Sequence, residues 1–366
     1  MPTPRIGSLA PYKPGLSIDE IRERYGLEQV IKLASNENPL GASPLAADAI
    51  ARNAALAFRY PQGGNPELVK ALARRHLVPE DQIVVGNGSD EIIDLLIRTL
   101  CDADRHNIVC NQPCFSIYPI QAAIAGVECR RAPLAENFVF DFTAQLELVN
   151  NHTRLVFLTT PDNPSGYCPD SQMVLDFASK LEQKAPEALL VIDEAYMDFA
   201  RPGLSLLENG AHPGNTAFLR TFSKSYGLAG LRLGYAIVPE AVADGFRRAR
   251  LPFSVNILAE KAGLAALADT AFRQATLDAV ASGREGLKSG LERIGCRVWP
   301  SEANFLLFQL PERATAKDCF EYLLGKGVII RPLASYDLPD HLRVSVGTDI
   351  ENRIFLENLA LYLETI

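Results

Sequence analysis

The amino-acid sequence predicts an α/β protein, with a large domain on a mostly parallel sheet and a smaller α+β domain. Short apolar runs alternate with helical patterns between residues 83 and 238, which is the rhythm of βαβ units. After residue 255 a long helical stretch is followed by strand-like runs mixed with helices. The chain of 366 residues is also longer than one ordinary domain.

The composition indicates a soluble globular protein, because 48% of the residues are hydrophobic and 22% are charged. The net charge of −8, with scattered basic residues, argues against nucleic acid or an anionic membrane as partner. We find no signal-peptide pattern at the start and no apolar run of membrane-spanning length. Seven cysteines without a C-x-x-C pair or a zinc-like spacing indicate free thiols and a cytoplasmic protein without a metal site.

The first segment, 1–40, is rich in proline and is predicted to be an arm that packs with the small domain. The large domain, 41–250, begins with a helical pattern at 43–57. The loop RYPQGGNP and an amphipathic helix at 66–77 follow.

Apolar runs then mark the strands of the large domain, and the segments between them are helical. We predict a helix at 89–100, with Ser89 as its N-cap, and another within 160–188. The strand candidates are 83–86, 107–110, 154–160, 188–193, 216–222 and 232–238.

The small domain, 251–366, begins with the long helical region 255–294. Strand-like runs (CRVWP, NFLLFQL, VII and LRVSV) are mixed with two helices, and the last helix is DIENRIFLENLALYL. This mixture is typical of an α+β domain.

The segment TFSKSYGLAGLRLGY, residues 221–235, carries the main candidate for chemistry. Lys224 follows an apolar run and stands between two serines, and Arg232 comes eight residues later. Strand ends line the ligand crevice of α/β sheets. We therefore interpret Lys224 as a nucleophile and Arg232 as an anion-binding residue.

Polar residues follow the neighbouring strands in the same way. Asp193 ends the apolar run ALLVID, and a carboxylate at the end of a buried strand requires a cationic partner. Asn163 lies in the proline- and glycine-rich turn TTPDNPSG, where its amide can donate to a ligand. Phe115 follows the strand at 107–110 and is a candidate for stacking on a planar ligand, although core packing is its more common use.

The motif GNGSDE, residues 86–91, stands between a strand and a helix and predicts an anion site at the helix N-terminus. It also half-matches the dinucleotide fingerprint, with Glu91 in place of the third glycine. A nucleotide-binding dehydrogenase is therefore an alternative, and it predicts a colourless protein that binds NAD.

The ordered set of motifs NENP, Tyr60-Pro61 with a glycine-rich turn, GSDE, NPSG, DEAY, the lysine segment and LRVSVGT resembles the histidinol-phosphate aminotransferases. These are fold-type I pyridoxal-phosphate (PLP) enzymes, and the resemblance covers most of the chain. It implies a seven-stranded sheet, PLP as cofactor and a homodimer with shared active sites. The sequence departs from the family at Gln62, where Asp is frequent, and at Phe115, where Tyr is frequent.

The resemblance implies a role for each candidate. Lys224 would form the imine with PLP and then move the proton, Asp193 would hold the pyridine nitrogen, and Phe115 would stack on the ring. Asn163 and Tyr196 would donate to the ring hydroxyl. The phosphate would be held by Gly88, Ser89, Asp90, Thr221, Ser223 and Arg232, and by Tyr60 from the neighbouring subunit.

The substrate would be held in the small domain. Arg343 has the position that grips a carboxylate in aminotransferases generally, and with Arg331 it would suit a doubly charged phosphate. Tyr12 of the arm would close over the imidazole. The resulting hypothesis is transamination of histidinol phosphate with 2-oxoglutarate to give glutamate. The alternatives are a threonine-phosphate decarboxylase and an aromatic amino-acid aminotransferase.

Overall fold

The structure, a computed structural model, describes residues 4–7, 9 and 15–366. Tyr12, predicted to cover the substrate, lies outside the described residues. The helices are α1 (Pro4–Gly7), α2 (Ile18–Tyr25), α3 (Pro44–Asn53), α4 (Pro66–His76), α5 (Gly88–Leu100), α6 (Ile117–Ala125), α7 (Phe142–Leu148), α8 (Ser171–Lys184), α9 (Glu240–Ala249), α10 (Ile257–Ala268), α11 (Thr270–Arg293), α12 (Ala316–Gly325) and α13 (Asp349–Glu364). The strands are β1 (Ile31–Lys32), β2 (Ile83–Gly86), β3 (Asn107–Gln112), β4 (Glu128–Pro133), β5 (Thr153–Thr159), β6 (Leu189–Asp193), β7 (Thr216–Thr221), β8 (Gly234–Ile237), β9 (Arg297–Val298), β10 (Phe305–Gln309), β11 (Val328–Ile329), β12 (Arg331–Pro332) and β13 (His341–Ser345).

The large sheet has seven strands in the order β2-β8-β7-β6-β5-β3-β4. Strand β8 runs antiparallel to both of its neighbours, and the other pairs are parallel. Separate apolar clusters cover its two faces, because parallel strands are buried between layers of helices. The predicted fold class is confirmed.

The carboxyl ends of the central strands form one edge of this sheet. Thr159 at the end of β5 pairs with Asp193 at the end of β6, and Asp193 pairs with Leu219 of β7. Parallel strands with this register bring the residues that follow them to one crevice. The fold therefore places the turn with Asn163, the Asp193 carboxylate and the Lys224 loop side by side.

A second, antiparallel sheet with the strand order β12-β13-β10-β9 lies in the C-terminal part of the chain. In this sheet Arg331 pairs directly with Arg343. Strand β1 of the N-terminal segment pairs in parallel with β11, and Ile21 of α2 packs with Leu324 and Ile329. The N-terminal segment is therefore tied to the C-terminal part by backbone and apolar contacts.

Helix α10 packs with the large sheet, although it lies beyond residue 250. Ala259 and Ala262 belong to the apolar cluster on one face of that sheet. Asp269 ends α10, caps α11 and accepts a hydrogen bond from the Ser43 hydroxyl at 2.6 Å. We propose that the junction between the domains lies at Asp269, which is 19 residues beyond the predicted bound at 250 and assigns α10 to the large domain.

Several local features differ from the sequence prediction, including helices α2, α7 and α9, which were not predicted. Helix α5 begins at Gly88 after Asn87, so Ser89 lies in the first turn and is not the N-cap. Strand β4 was not predicted, because its charged residues at the sheet edge hide the apolar pattern. Helix α6 was also missed, since Pro119 stands in its first turn.

No helix of the described segments is long and apolar enough to cross a membrane.

Candidate active site

A cavity of about 280 Å³ opens at the carboxyl edge of the large sheet, between that sheet and the C-terminal part. It brings together most of the residues predicted from the sequence. These are Ser89, Asp90, Phe115, Asn163, Asp193, Tyr196, Thr221, Ser223, Lys224, Arg232, Arg331 and Arg343.

Lys224 lies in the loop after β7 and points into this cavity. Its Nζ donates to the Ser35 carbonyl at 3.1 Å and stands 5.5 Å from the centre of the Tyr196 ring. Asn38 holds the loop by donating to the carbonyls of Lys224 and Ser225, at 3.3 Å and 3.0 Å. Burial and the nearby Arg343 guanidinium lower the pKa of Lys224 to about 8. A lysine with such a pKa is available as a nucleophile near neutral pH.

Asp193 is 3% exposed at the end of β6. Its carboxylate accepts hydrogen bonds from the Tyr118 hydroxyl at 2.7 Å and from the Ala195 amide at 3.1 Å. Burial raises the pKa of Asp193 to about 6. It forms no ion pair with any side chain in the described part of the chain. Because a buried carboxylate is costly without a cation, this position suits a protonated ring nitrogen of a ligand.

Tyr196 and Asn163 form one polar wall. The Tyr196 hydroxyl accepts from the side-chain amides of Asn36 at 3.1 Å and Asn163 at 3.4 Å. Burial raises the pKa of Tyr196 to about 12, so the phenol keeps its proton at neutral pH. The Asn163 carbonyl oxygen accepts in turn from Arg343. The Tyr196 hydroxyl can therefore donate a hydrogen bond to an oxygen of a ligand in the cavity.

Another part of the cavity lining is suited to an anion. Ser89 and Asp90 lie in the first turn of α5, whose dipole favours negative charge. Arg232 pairs with Asp90 at 3.0 Å. Gly88 has φ +79°, and a Cβ at this position would stand 2.6 Å from the Arg232 guanidinium. Only glycine therefore lets Arg232 lie against the helix start.

Arg343 and Arg331 also line the cavity, and Arg343 adjoins the wall formed by Tyr196 and Asn163. Arg343 is 5% exposed, donates to the Ala34 carbonyl at 2.8 Å, and keeps an Nε without a partner among the described residues. Arg331 stands beside it on the neighbouring strand and lines the same cavity. A buried donor that lacks a partner is costly, so Arg343 is suited to an anionic ligand, and Arg331 adds a second guanidinium to the same cavity.

Tyr60 does not reach the cavity of its own chain. It is 81% exposed and stacks on Phe253, with ring centroids 4.9 Å apart. Phe58 and Leu251 are also exposed apolar residues of this region. Its predicted contact with a cofactor therefore requires a second chain.

The structure adds residues that the sequence interpretation missed. Asn36, Glu37, Thr159 and Tyr336 line the cavity, and Tyr118 lies behind Asp193. The motif NENP contains Asn36 and Glu37 and could have identified them. Tyr118 carries no such signal, because it lies in a helix that the sequence did not predict.

The seven-stranded sheet, with a half-buried lysine and a buried carboxylate at a strand end lining one cavity, is the architecture of fold-type I PLP-dependent transferases. Residues 28–359 match the family model "Aminotransferase class I and II", and the chain belongs to this family.

Relatives from two bacteria are similar over nearly the whole chain. The histidinol-phosphate aminotransferase of Nitratidesulfovibrio vulgaris is 56% identical, over 97% of this chain and 94% of the relative. The enzyme of that name from Oleidesulfovibrio alaskensis is 53% identical, over 96% and 92%.

Solved structures agree with this fold. The structure of histidinol-phosphate aminotransferase from Sinorhizobium meliloti in complex with pyridoxal-5'-phosphate has a TM-score of 0.89 and 26% identity. The match covers 99% of this chain and 97% of that one. The L-threonine-O-3-phosphate decarboxylase of Porphyromonas gingivalis has a TM-score of 0.80 at 21% identity, covering 92% and 100%. The latter likeness concerns the fold alone.

Proposed function

We propose that this aminotransferase binds PLP in the cavity and transfers the amino group of histidinol phosphate to 2-oxoglutarate. The products would be imidazole-acetol phosphate and glutamate. The observation that carries the substrate proposal is the pair Arg331 and Arg343, which stand opposite each other on β12 and β13 and line the cavity of Lys224. The names of the relatives point to the same substrate.

The described residues fit PLP at each of its functional groups. Lys224 suits the aldehyde, the buried Asp193 carboxylate suits the pyridine nitrogen, and Tyr196 with Asn163 suits the ring hydroxyl. The phosphate fits the start of α5, with Thr221, Ser223 and Arg232 beside it. Phe115 lines the cavity beside these groups and can stack on the ring. When bound, PLP supplies an electron sink that stabilises negative charge on the substrate carbon.

The side chains of this chain then have distinct tasks. The Lys224 amine would be the base that takes the proton from the substrate carbon and returns it. Asp193 keeps the ring nitrogen protonated, and Tyr196 holds a proton at the ring oxygen. Arg331 and Arg343 bind the phosphate of the substrate and orient its reacting carbon toward Lys224.

A phosphate monoester distinguishes this substrate from an aromatic amino acid, because it is a dianion that two guanidinium groups match better than one. Threonine phosphate carries the same group, and the decarboxylase fold is similar. An assay of the purified protein separates the three reactions. We expect glutamate formation from 2-oxoglutarate with histidinol phosphate, little carbon dioxide from threonine phosphate, and weak transfer to phenylpyruvate. Faster carbon dioxide release, or a preference for phenylpyruvate, would contradict the proposal.

We also propose a homodimer in which Tyr60 of each chain binds the phosphate of the partner's cofactor. The exposed residues Phe58, Tyr60 and Leu251 support an interface in this region.

All seven cysteines, each within the described part, are free, which agrees with a cytoplasmic location.

Tyr60→Phe is expected to weaken PLP binding roughly 10-fold, because a hydrogen bond to a charged phosphate is lost. Equilibrium dialysis of the protein measures this effect, and sedimentation reports the oligomeric state. Tyr322→Phe in α12 is the matched control and should leave the PLP affinity unchanged. A monomer with full cofactor affinity would rule out the shared site.

A further inference from the structure

Tyr118 of α6 lies directly behind the Asp193 carboxylate. It is 1% exposed, and its ring stacks on Phe157 at 4.4 Å and meets the edge of Phe115 at 5.7 Å. Its hydroxyl is 2.7 Å from the Asp193 carboxylate and 2.7 Å from the Thr159 hydroxyl. Since the only phenolic proton goes to the carboxylate, the Thr159 hydroxyl donates to the Tyr118 oxygen. The result is a directed chain from Thr159 through Tyr118 to Asp193.

We infer that Tyr118 is a positioning residue for the cofactor, which orients the Asp193 carboxylate toward the ring nitrogen and favours its ionised form. This inference rests on the proposed binding of PLP and not on the identity of the substrate. Tyr118 lines no part of the cavity, so it acts through Asp193. Hydrogen bonds in series strengthen each other in a buried site, and Thr159 therefore contributes to the same effect.

The electrostatic surroundings explain why this donor matters. Burial, Asp90 of α5 and Glu194 raise the pKa of Asp193, whereas the bond from Tyr118 and the Ala195 amide lower it. Tyr196, on the other side, is neutral at these pH values, and Lys224 of the β7 loop faces the same cavity. With the bond in place the pKa of Asp193 is about 6, so the carboxylate is mostly ionised at pH 7.

Tyr118→Phe keeps the ring contacts and removes the hydroxyl. Its loss raises the pKa of Asp193 above 6, so that more of the carboxyl group is protonated between pH 6 and pH 7. We expect the PLP dissociation constant, measured by dialysis of the holoenzyme, to rise roughly 10- to 100-fold at pH 6.5. Above pH 8 the Asp193 carboxylate is ionised in both the wild type and Tyr118→Phe. The difference between their PLP dissociation constants should then be smaller, because only the orienting effect of Tyr118 remains. Thr159→Val should change the affinity in the same direction by a smaller factor.

Tyr235→Phe is the matched control, because Tyr235 of β8 is also a buried phenol, and its hydroxyl is bonded to His76 at 2.9 Å. The pKa of His76 is lowered to about 3 by burial, so His76 does not titrate in the tested range. If Tyr118→Phe leaves the PLP affinity unchanged, or weakens it by the same factor at every pH, the inference is overturned. If Tyr118→Phe does not fold, the pH dependence of Thr159→Val decides in the same way. A wild-type protein that binds PLP but does not use histidinol phosphate overturns the substrate proposal alone, whereas one without PLP binding overturns both.

Discussion

Lys224→Ala is expected to reduce amino transfer by at least about 10³-fold, because it removes both the nucleophile and the general base. The variant should also lose the covalent link to the cofactor. Mass spectrometry after borohydride reduction shows that link directly, since reduction fixes PLP on Lys224 in the wild type. Lys180→Ala, an exposed lysine of α8, should behave like the wild type in both measurements.

The pH dependence of cofactor capture tests the same assignment. The pKa of Lys224 is lowered to about 8 by burial and by Arg343. Roughly a tenth of the lysine is therefore uncharged at pH 7, far more than for a lysine with an ordinary pKa. The rate of capture by the cofactor-free protein should rise with pH and level off above about 8. Full turnover in Lys224→Ala, or capture that is independent of pH between 7 and 9, would contradict the role of Lys224.

Arg343→Ala is expected to lower kcat/KM for histidinol phosphate about 30- to several-thousand-fold, as it removes a charge-assisted bond to a buried anion. Arg331→Ala should act in the same direction, because both guanidinium groups share one dianion. Arg343→Lys keeps the charge but loses the fork of donors, so it should recover only part of the activity. Steady-state kinetics with histidinol phosphate and with phenylalanine give, for each substrate, the ratio of the effects of the two variants on kcat/KM. Phenylalanine, with a single carboxylate charge, should depend mainly on one of the two arginines.

Arg297→Ala is the control for this pair, since Arg297 belongs to the same small sheet but lines a different groove. It should leave both substrates unaffected. If Arg331→Ala leaves histidinol phosphate turnover intact while Arg343→Ala abolishes it, the phosphate site formed by two arginines is wrong. A general aromatic aminotransferase would then explain the protein better.

The sequence predicted the parts of the site that local patterns encode. Apolar runs of strand length marked β5, β6 and β7, and a polar residue after each run marked the carboxyl edge of the sheet. Parallel pairing makes such residues neighbours, so the pattern of runs alone places Asn163, Asp193 and Lys224 together. Local patterns also predicted Gly88 and Arg232 as site residues, because the start of a helix directly after a strand predicts an anion site.

Contacts between segments far apart in the chain could not be predicted in this way. The pKa of Lys224 depends on Arg343, which is 119 positions away, and on burial that only the packed domains create. Tyr118 is a partner of Asp193 only because the fold brings this residue of α6 to the end of β6.

The sequence by itself thus determined the fold class, the family and the residue types at the sheet edge, because period and motif are local properties. Only the tertiary structure decided which side chains share the cavity, which donors lack a partner, and how far each pKa moves. These quantities depend on distance and burial, and a chain acquires them only when strands β5, β6, β7 and β13 are brought together.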